Sequence, residues 1–298
     1  MTELRDAFFY ALLAKAKRDK NVVLMTADMG AYAVRAFAEE LPDQFFNVGI
    51  AEQNMISVAA GLALKGKQVY CYAISAFLVL RAFEQIKIDV CNMRSNVILV
   101  GVGGGVDYSY DGSTHHCPND IGVLRTLPNM GIYVPFDVYT TELSTQLVGP
   151  MYVRLPKGHA DVVEKMQIAP GYYRVREGRS YVVTYGMLVH KVLKLLDELR
   201  ATDVGLLALT QLKPLPQAWE WGPLLNGTPF MVVEQHTVHG GLLSALGERK
   251  MVEHLYGRYV GYTDVFSDLG GSIDVVEKSA GLDYERVKRR IQELRDAN

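Results

Sequence analysis

Residues Phe45 to Ala73 read FFNVGIAEQNMISVAAGLALKGKQVYCYA, and this stretch decides the fold class. Phe45–Val48 and Val69–Ala73 are short, continuously apolar runs of strand length, and Glu52–Leu64 between them has helix length. A strand that is apolar on both faces needs cover on both, so strand, helix, strand in this order predicts a parallel pair with the helix crossing over it. The rhythm continues outward. Val22–Met25, Val97–Val102, Ile132–Val134 and Met151–Leu155 read as further buried strands, with helices expected over Leu4–Arg18, Ala31–Glu40, Ala76–Cys91, Ile121–Thr126 and Thr140–Val148. Lys157–Ser180 breaks the pattern: it is mixed in charge, holds Gly158, Pro170, Gly171 and Gly178, and reads as a linker. A second unit follows, with strands Tyr181–Tyr185, Val204–Leu209 and Phe230–Val233 and helices Leu188–Leu199, Leu242–His254 and Tyr284–Leu294. The expectation is an α/β protein of two open, mainly parallel sheets with helices on both faces. The domains are expected over residues 1–165 and 181–298, with 166–180 between them as linker.

Composition narrows the function classes. The 298 residues are 49% hydrophobic and 21% charged with net charge −2, enough apolar surface to offset chain entropy, so disorder is excluded. Neither half is basic, which leaves no footprint for nucleic acid or an anionic membrane. The longest apolar run, Met55–Leu64, is about half a membrane span. Charges interrupt the apolar positions of residues 1–20, so this is not a signal peptide. Cys71, Cys91 and Cys117 cannot form a full disulfide set and lack metal-ligand spacing. A cytoplasmic, soluble, thiol-reduced protein is expected.

Four segments could carry chemistry. Glu52 opens an almost wholly apolar helix just beyond a strand end, where open α/β sheets bind ligands. It is either a first-turn carboxylate stabilised by the helix dipole or, at the mouth of a buried helix, a proton-transfer group. Asp111-Gly112-Ser113-Thr114-His115-His116 follows the run Gly101-Val102-Gly103-Gly104-Gly105, but no helix begins at these glycines, so they are not a dinucleotide fingerprint. Adjacent histidines point in different directions and make poor joint zinc ligands. Phe77, in Ser75-Ala76-Phe77-Leu78 at a strand end, reads most simply as core, and Glu234-Gln235-His236 as a buried structural loop.

Taken together and in order, these segments resemble the C-terminal two-thirds of a transketolase, that is, the pyrimidine-binding and C-terminal domains of the thiamine-diphosphate enzymes. Val48-Gly49-Ile50-Ala51-Glu52-Gln53 is similar to the family's glycine–Ile–x–Glu motif. Ser75–Leu78, Asp111–His115, Leu124–Met130 and Glu234-x-His236-x3-Gly240-Gly241 agree in register, so the likeness covers nearly the whole chain. The resemblance implies a thiamine-diphosphate-dependent transferase that moves a two-carbon ketol unit from a ketose donor to an aldose. Glu52 would hydrogen-bond N1′ of the cofactor's aminopyrimidine and start the proton transfers that activate it. Phe77 would stack on that ring, with Ile50 and Ile74 beside the cofactor. His115 would act in catalysis and, with Asp111, meet the donor's hydroxyls, while Arg154 and more loosely Arg5 would hold the far end of a sugar phosphate.

Two departures qualify this. The chain lacks the family's Gly-Asp-Gly and following Asn, which bind magnesium and diphosphate. An N-terminal partner subunit is therefore expected to supply the Mg²⁺ ligands, in a split, α2β2-type heterotetramer that self-associates through both of this chain's domains. Where transketolases carry a basic side chain seven or eight residues before the substrate aspartate, this chain has Gly103 and Gly104, so a non-phosphorylated or modified sugar fits. The neighbouring readings are a 1-deoxyxylulose-5-phosphate-synthase-like condensation, a 2-oxoacid dehydrogenase E1 beta-like subunit, and a catalytically silent partner.

Overall fold

The computed structural model describes residues 2–216, 228–249, 259–267 and 270–296. Six parallel strands build the first sheet, in the order Gly131–Tyr133, Met151–Leu155, Val97–Val102, Gln68–Ile74, Val22–Thr26 and Phe45–Asn47. The strands Val22–Thr26 and Val97–Val102 are buried at every position, as continuous apolar runs require. Helices Leu4–Ala16 and Val138–Ser144 cover one face, where Phe8, Phe9, Tyr70 and Tyr72 pack edge-on. Glu52–Leu64 and the helical stretch 76–92 cover the other.

The second sheet runs Tyr259–Tyr262, Phe230–Thr237, Ser180–Thr184, Val204–Leu209, Tyr172–Arg176 and Met166–Ala169. Its first four strands are parallel, and Leu188–Glu198, Ile273–Ala280 and Tyr284–Asp296 bury Leu196, Val276 and Ile291 against it. The α/β architecture expected from the strand–helix rhythm is therefore the one observed. The expected helix Leu242–His254 is described as Leu242–Glu248, and its last turns lie outside the described residues.

Three expectations need correction. Residues 166–180 are not a linker: Met166–Ala169 and Tyr172–Arg176 form an antiparallel hairpin on the edge of the second sheet. Met166–Ala169 is a short, mostly exposed edge strand, and Tyr172–Arg176 beside it carries two arginines after its buried tyrosines, so neither has the apolar run that marks a buried strand. Nor does each half keep its own sheet, because Gln211–Lys213 pairs antiparallel with Gly131–Tyr133 at the edge of the first. Last, Glu52–Leu64 is only half-buried. Met55, Ile56, Ala59 and Ala60 face the core, while Val58 and Leu64 face out.

A charged staple ties the hairpin to the first unit. Asp137 caps helix Val138–Ser144 by accepting from the Thr140 N–H and hydroxyl, and its other oxygen takes Val163 N–H and the Lys165 ammonium. The Lys165 stem and charge sit among the rings of Phe136, Tyr139 and Tyr173. Burial alone would push the Asp137 carboxyl up, but Lys165 and Thr140 outweigh it and hold it below the usual carboxylate range. A folded-state value below the unfolded one adds stability that is present above about pH 4 and lost as pH falls through the folded value. Lys165→Met, which keeps the stem and leaves Asp137 buried without its cation, should cost about 3–5 kcal/mol at pH 7. Urea unfolding at pH 7 and pH 3.5 should show that gap narrowing in acid, where the mutant's Asp137 protonates.

Candidate functional site

The carboxyl ends of the first sheet's strands gather the candidate residues, as open parallel sheets do. Glu52 follows Phe45–Asn47 through a turn in which the Asn47 side chain accepts from Asp28 N–H and Gly49 N–H, and Gly49 takes φ +70°. Phe77 follows Gln68–Ile74, the loop holding Tyr108, Asp111 and His115 follows Val97–Val102, and Lys157 follows Met151–Leu155. The two-residue strand Thr2–Glu3 pairs with His159–Ala160, and this brings Arg5 to the same edge.

These side chains form one connected row. Arg81 Nη1 donates to Glu52 Oε2 at 2.7 Å, and the Arg81 guanidinium lies 4.5 Å from the Phe77 ring centre. The Phe77 ring meets His115 edge-on at 5.0 Å, and His115 tilts against Tyr108 at 6.0 Å. Above Tyr108, at 4.0 Å, stands the Lys157 ammonium, a contact worth about 0.5–2 kcal/mol. Arg5 acts electrostatically on the same phenol, and burial pushes that phenol up to about 12 despite both the cation and its partial exposure. Asp111, anchored by its N–H to Tyr108 O, is exposed, as an atom meant for a ligand can be. Beyond Phe77 the row opens into a cavity of about 200 Å³ lined by Leu80, Thr114 and His116 and, from the second unit, Tyr262 and Phe266.

Of the expected residues, Glu52, Phe77, His115, Asp111 and Arg5 are therefore brought together. Glu52 is 2% exposed, so it is a buried carboxylate rather than a solvated helix cap. Ile74 ends its strand half-buried, and Ile50 stands 76% exposed on the turn before Glu52. The two histidines do part: His115 lines the row, while His116 is buried, which lowers its proton affinity.

Arg154 must be withdrawn from the substrate group. It is 4% exposed, its Nε donates to Asp120 Oδ2 at 2.7 Å, and its Nη2 donates to the Gln235 carbonyl of the second unit at 2.9 Å. The same Asp120 oxygen accepts from Tyr152, whose hydroxyl also reaches Ser75. The guanidinium fork is spent on the seam between the sheets. Gly103 and Gly104 take on a new meaning as well. A Cβ on Gly104 would sit 2.2 Å from Arg154 Nε, and one on Gly103 would sit 2.3 Å from the Tyr108 ring. The glycines make room for Arg154 and Tyr108, and Lys157 supplies a cation over that ring. Glu234-Gln235-His236 is structural as expected, though it ends a strand rather than forming a loop: Glu234 caps helix Leu242–Glu248 and His236 accepts from Gly122 N–H.

Sequence reasoning missed Arg81, Tyr108 and Lys157. Ala76–Arg81 is a π-helical turn, a rare form that often marks functional sites, and it sets Arg81 back over Phe77. Four residues after an aromatic on a helix, a cation was a readable signal, although the π turn itself was not.

Comparison with known proteins gives the chain a family. Residues 1–161 match the transketolase pyrimidine-binding domain family. The chain is 31% identical to a putative transketolase C-terminal section of Methanocaldococcus jannaschii, covering 97% of this chain and 95% of that one. It is 30% identical to the 6-deoxy-6-sulfo-D-fructose transketolase subunit SqwH of Clostridium sp. (strain MSTE9), covering 98% and 94%. Among solved structures, a split-gene transketolase described as an inactive beta4 tetramer superposes with a TM-score of 0.81 at 28% identity, covering 99% of this chain and 98% of that one. The chain belongs to the transketolase family and corresponds to its C-terminal section.

The seam makes a testable claim. Arg154→Ala strands Asp120 without its cation in a fully buried position and should cost about 3–5 kcal/mol in urea unfolding. Arg154→Met with Asp120→Asn should recover part of that loss. A deficit below 1 kcal/mol for the single variant would show that the pair does not hold the seam.

Proposed function

We propose that this chain is the pyrimidine-binding subunit of a thiamine-diphosphate-dependent transketolase that transfers a two-carbon ketol unit between sugars. The observation that carries the reading is the buried Glu52 carboxylate beside the Phe77 ring at the sheet's carboxyl edge, continuous with His115. A carboxylate next to an aromatic ring suits a flat heterocycle whose ring nitrogen shares a proton with it, and the flat Arg81 guanidinium already contacts both. The donor set therefore fits an aminopyrimidine. Bound there, the cofactor supplies the electron sink for breaking and making the ketose carbon–carbon bond.

The protein's part is to bind, orient and move protons. Glu52 holds a proton at the pyrimidine N1′, where burial strengthens a charge-assisted hydrogen bond. Phe77 fixes the ring's plane and excludes water from it. His115, edge-on to Phe77, can exchange a proton with a donor hydroxyl, its Nδ1 lying 3.0 Å from the Thr114 hydroxyl. Asp111 accepts from sugar hydroxyls. Lys157 and Arg5, flanking Tyr108, suit an anionic group at the far end of the sugar. A relative named for a sulfonated sugar supports that class of substrate.

The diphosphate and its magnesium are assigned to an N-terminal partner subunit. The relative described as a C-terminal section and the structural neighbour described as an inactive, split-gene tetramer support a divided enzyme. Val58, Leu64, Ile88 and Met93 expose apolar surface on two packed helices of the first unit, which supports association through this face in an α2β2 assembly. Glu52→Gln keeps the shape of the side chain and removes its charge. In the assembled enzyme it should lower ketol transfer by at least about a hundredfold, the usual scale of general acid–base catalysis, while size exclusion shows the complex intact. An unchanged rate would leave this chain a silent partner, and no complex between the co-expressed chains would end the split-enzyme reading.

A further inference from the structure

Arg81 is the one charged side chain with a described contact to Glu52, and the proton-transfer role given to Glu52 leaves that contact unused. The pair is lopsided. The carboxylate is 2% exposed, whereas the arginine is 42% exposed and reaches in from the surface. Its flat, delocalised guanidinium makes two contacts at once: a 2.7 Å hydrogen bond to Glu52 Oε2, and a 4.5 Å approach to the Phe77 ring centre. Stacked or edge-on aromatic pairs hold their centres about 4.5–7 Å apart. Any ring that stacks on Phe77 and also hydrogen-bonds Glu52 must therefore enter the volume that Arg81 fills. Phe77 also meets His115 edge-on at 5.0 Å.

We propose that Arg81 is a gate on the pyrimidine seat: its guanidinium stands where the aminopyrimidine docks, and the cofactor binds by displacing it. The inference rests on the thiamine-diphosphate reading of this site. It gives Arg81 two tasks. Before docking, the guanidinium neutralises a carboxylate that burial would otherwise leave without a partner. On docking, a proton shared between Glu52 and the ring's N1′ replaces that hydrogen bond, and Arg81 swings outward along the exposed path its side chain already follows. The separate subunit thus keeps this buried carboxylate satisfied, and cofactor affinity is reduced by the work of breaking the Arg81–Glu52 contact.

A gate and a structural prop predict opposite signs. The test is calorimetric titration of thiamine diphosphate with Mg²⁺ into the assembly of this chain with its partner subunit, using wild type, Arg81→Ala, Arg81→Gln and Arg81→Lys. Thermal unfolding of each variant runs alongside. Removing the guanidinium should lower the melting midpoint and yet tighten the cofactor Kd by about tenfold. Arg81→Gln, uncharged but polar, guards against a folding failure of the alanine variant and should also bind more tightly than wild type. Arg81→Lys keeps the charge without the flat stacking face and should fall between. Unchanged or weaker binding in both Arg81→Ala and Arg81→Gln would overturn the gate while leaving the proposed function intact. If the wild-type assembly bound no cofactor, both readings would fall together.

Discussion

A guanidinium and a carboxylate, buried together between two sheets, hold this molecule in its working shape. Arg154 stands on a central strand of the first sheet, binds Asp120 on the helix that follows the glycine-rich loop, and reaches the Gln235 carbonyl on the second sheet. Gln235 in turn donates to Glu277, which is 0% exposed and also receives Lys191 and the Tyr284 hydroxyl. Such chains of buried polar groups are costly when broken and specific when complete. The two units can dock in only one register if every member is to be satisfied. The loop that carries Tyr108, Asp111 and His115 lies against this seam, so the seam also fixes the substrate side of the site.

Asp107 shows how tightly that loop is held. Burial raises its carboxyl to about 6 even though Arg154 and the Lys157 N–H work to lower it. An acid whose folded value is raised stabilises the fold below about pH 4, and that contribution is lost as pH rises through about 6. Above about pH 6 the loop therefore carries a poorly solvated charge beside the candidate substrate cation Lys157. Holding charge in a sparsely solvated place is typical of functional sites and sacrifices some stability there.

How much of this was legible in the sequence depends on range. The first sheet could be read because its strands are unbroken apolar runs separated by helices of ordinary length. The hairpin over 166–176 and the strand Gln211–Lys213 could not, because their strands are short and half-polar, and their pairing is a tertiary fact. At the site, the segments of Glu52, Phe77, Asp111 and His115 were legible as local motifs after strand ends, and the structure brings these residues to one edge. Arg154 was misassigned for the opposite reason: an arginine at the end of a strand resembles an anion ligand until the carboxylate that neutralises it, 34 residues away, is seen. Lys157, three residues further on and past the strand end, is the cation that actually faces Tyr108. Arg81, four residues after Phe77, could have been read as a partner of that ring, whereas the π turn that carries it could not.

The central claim is that this chain provides the pyrimidine half of a cofactor site completed by another polypeptide. The most direct test is titration of thiamine diphosphate with Mg²⁺ into the purified chain alone, and then into a mixture with the subunit that carries the diphosphate ligands. No measurable binding to the lone chain and clear, saturable binding to the mixture are expected. Equally tight binding to the chain by itself would contradict the claim, because the diphosphate would then have its ligands here.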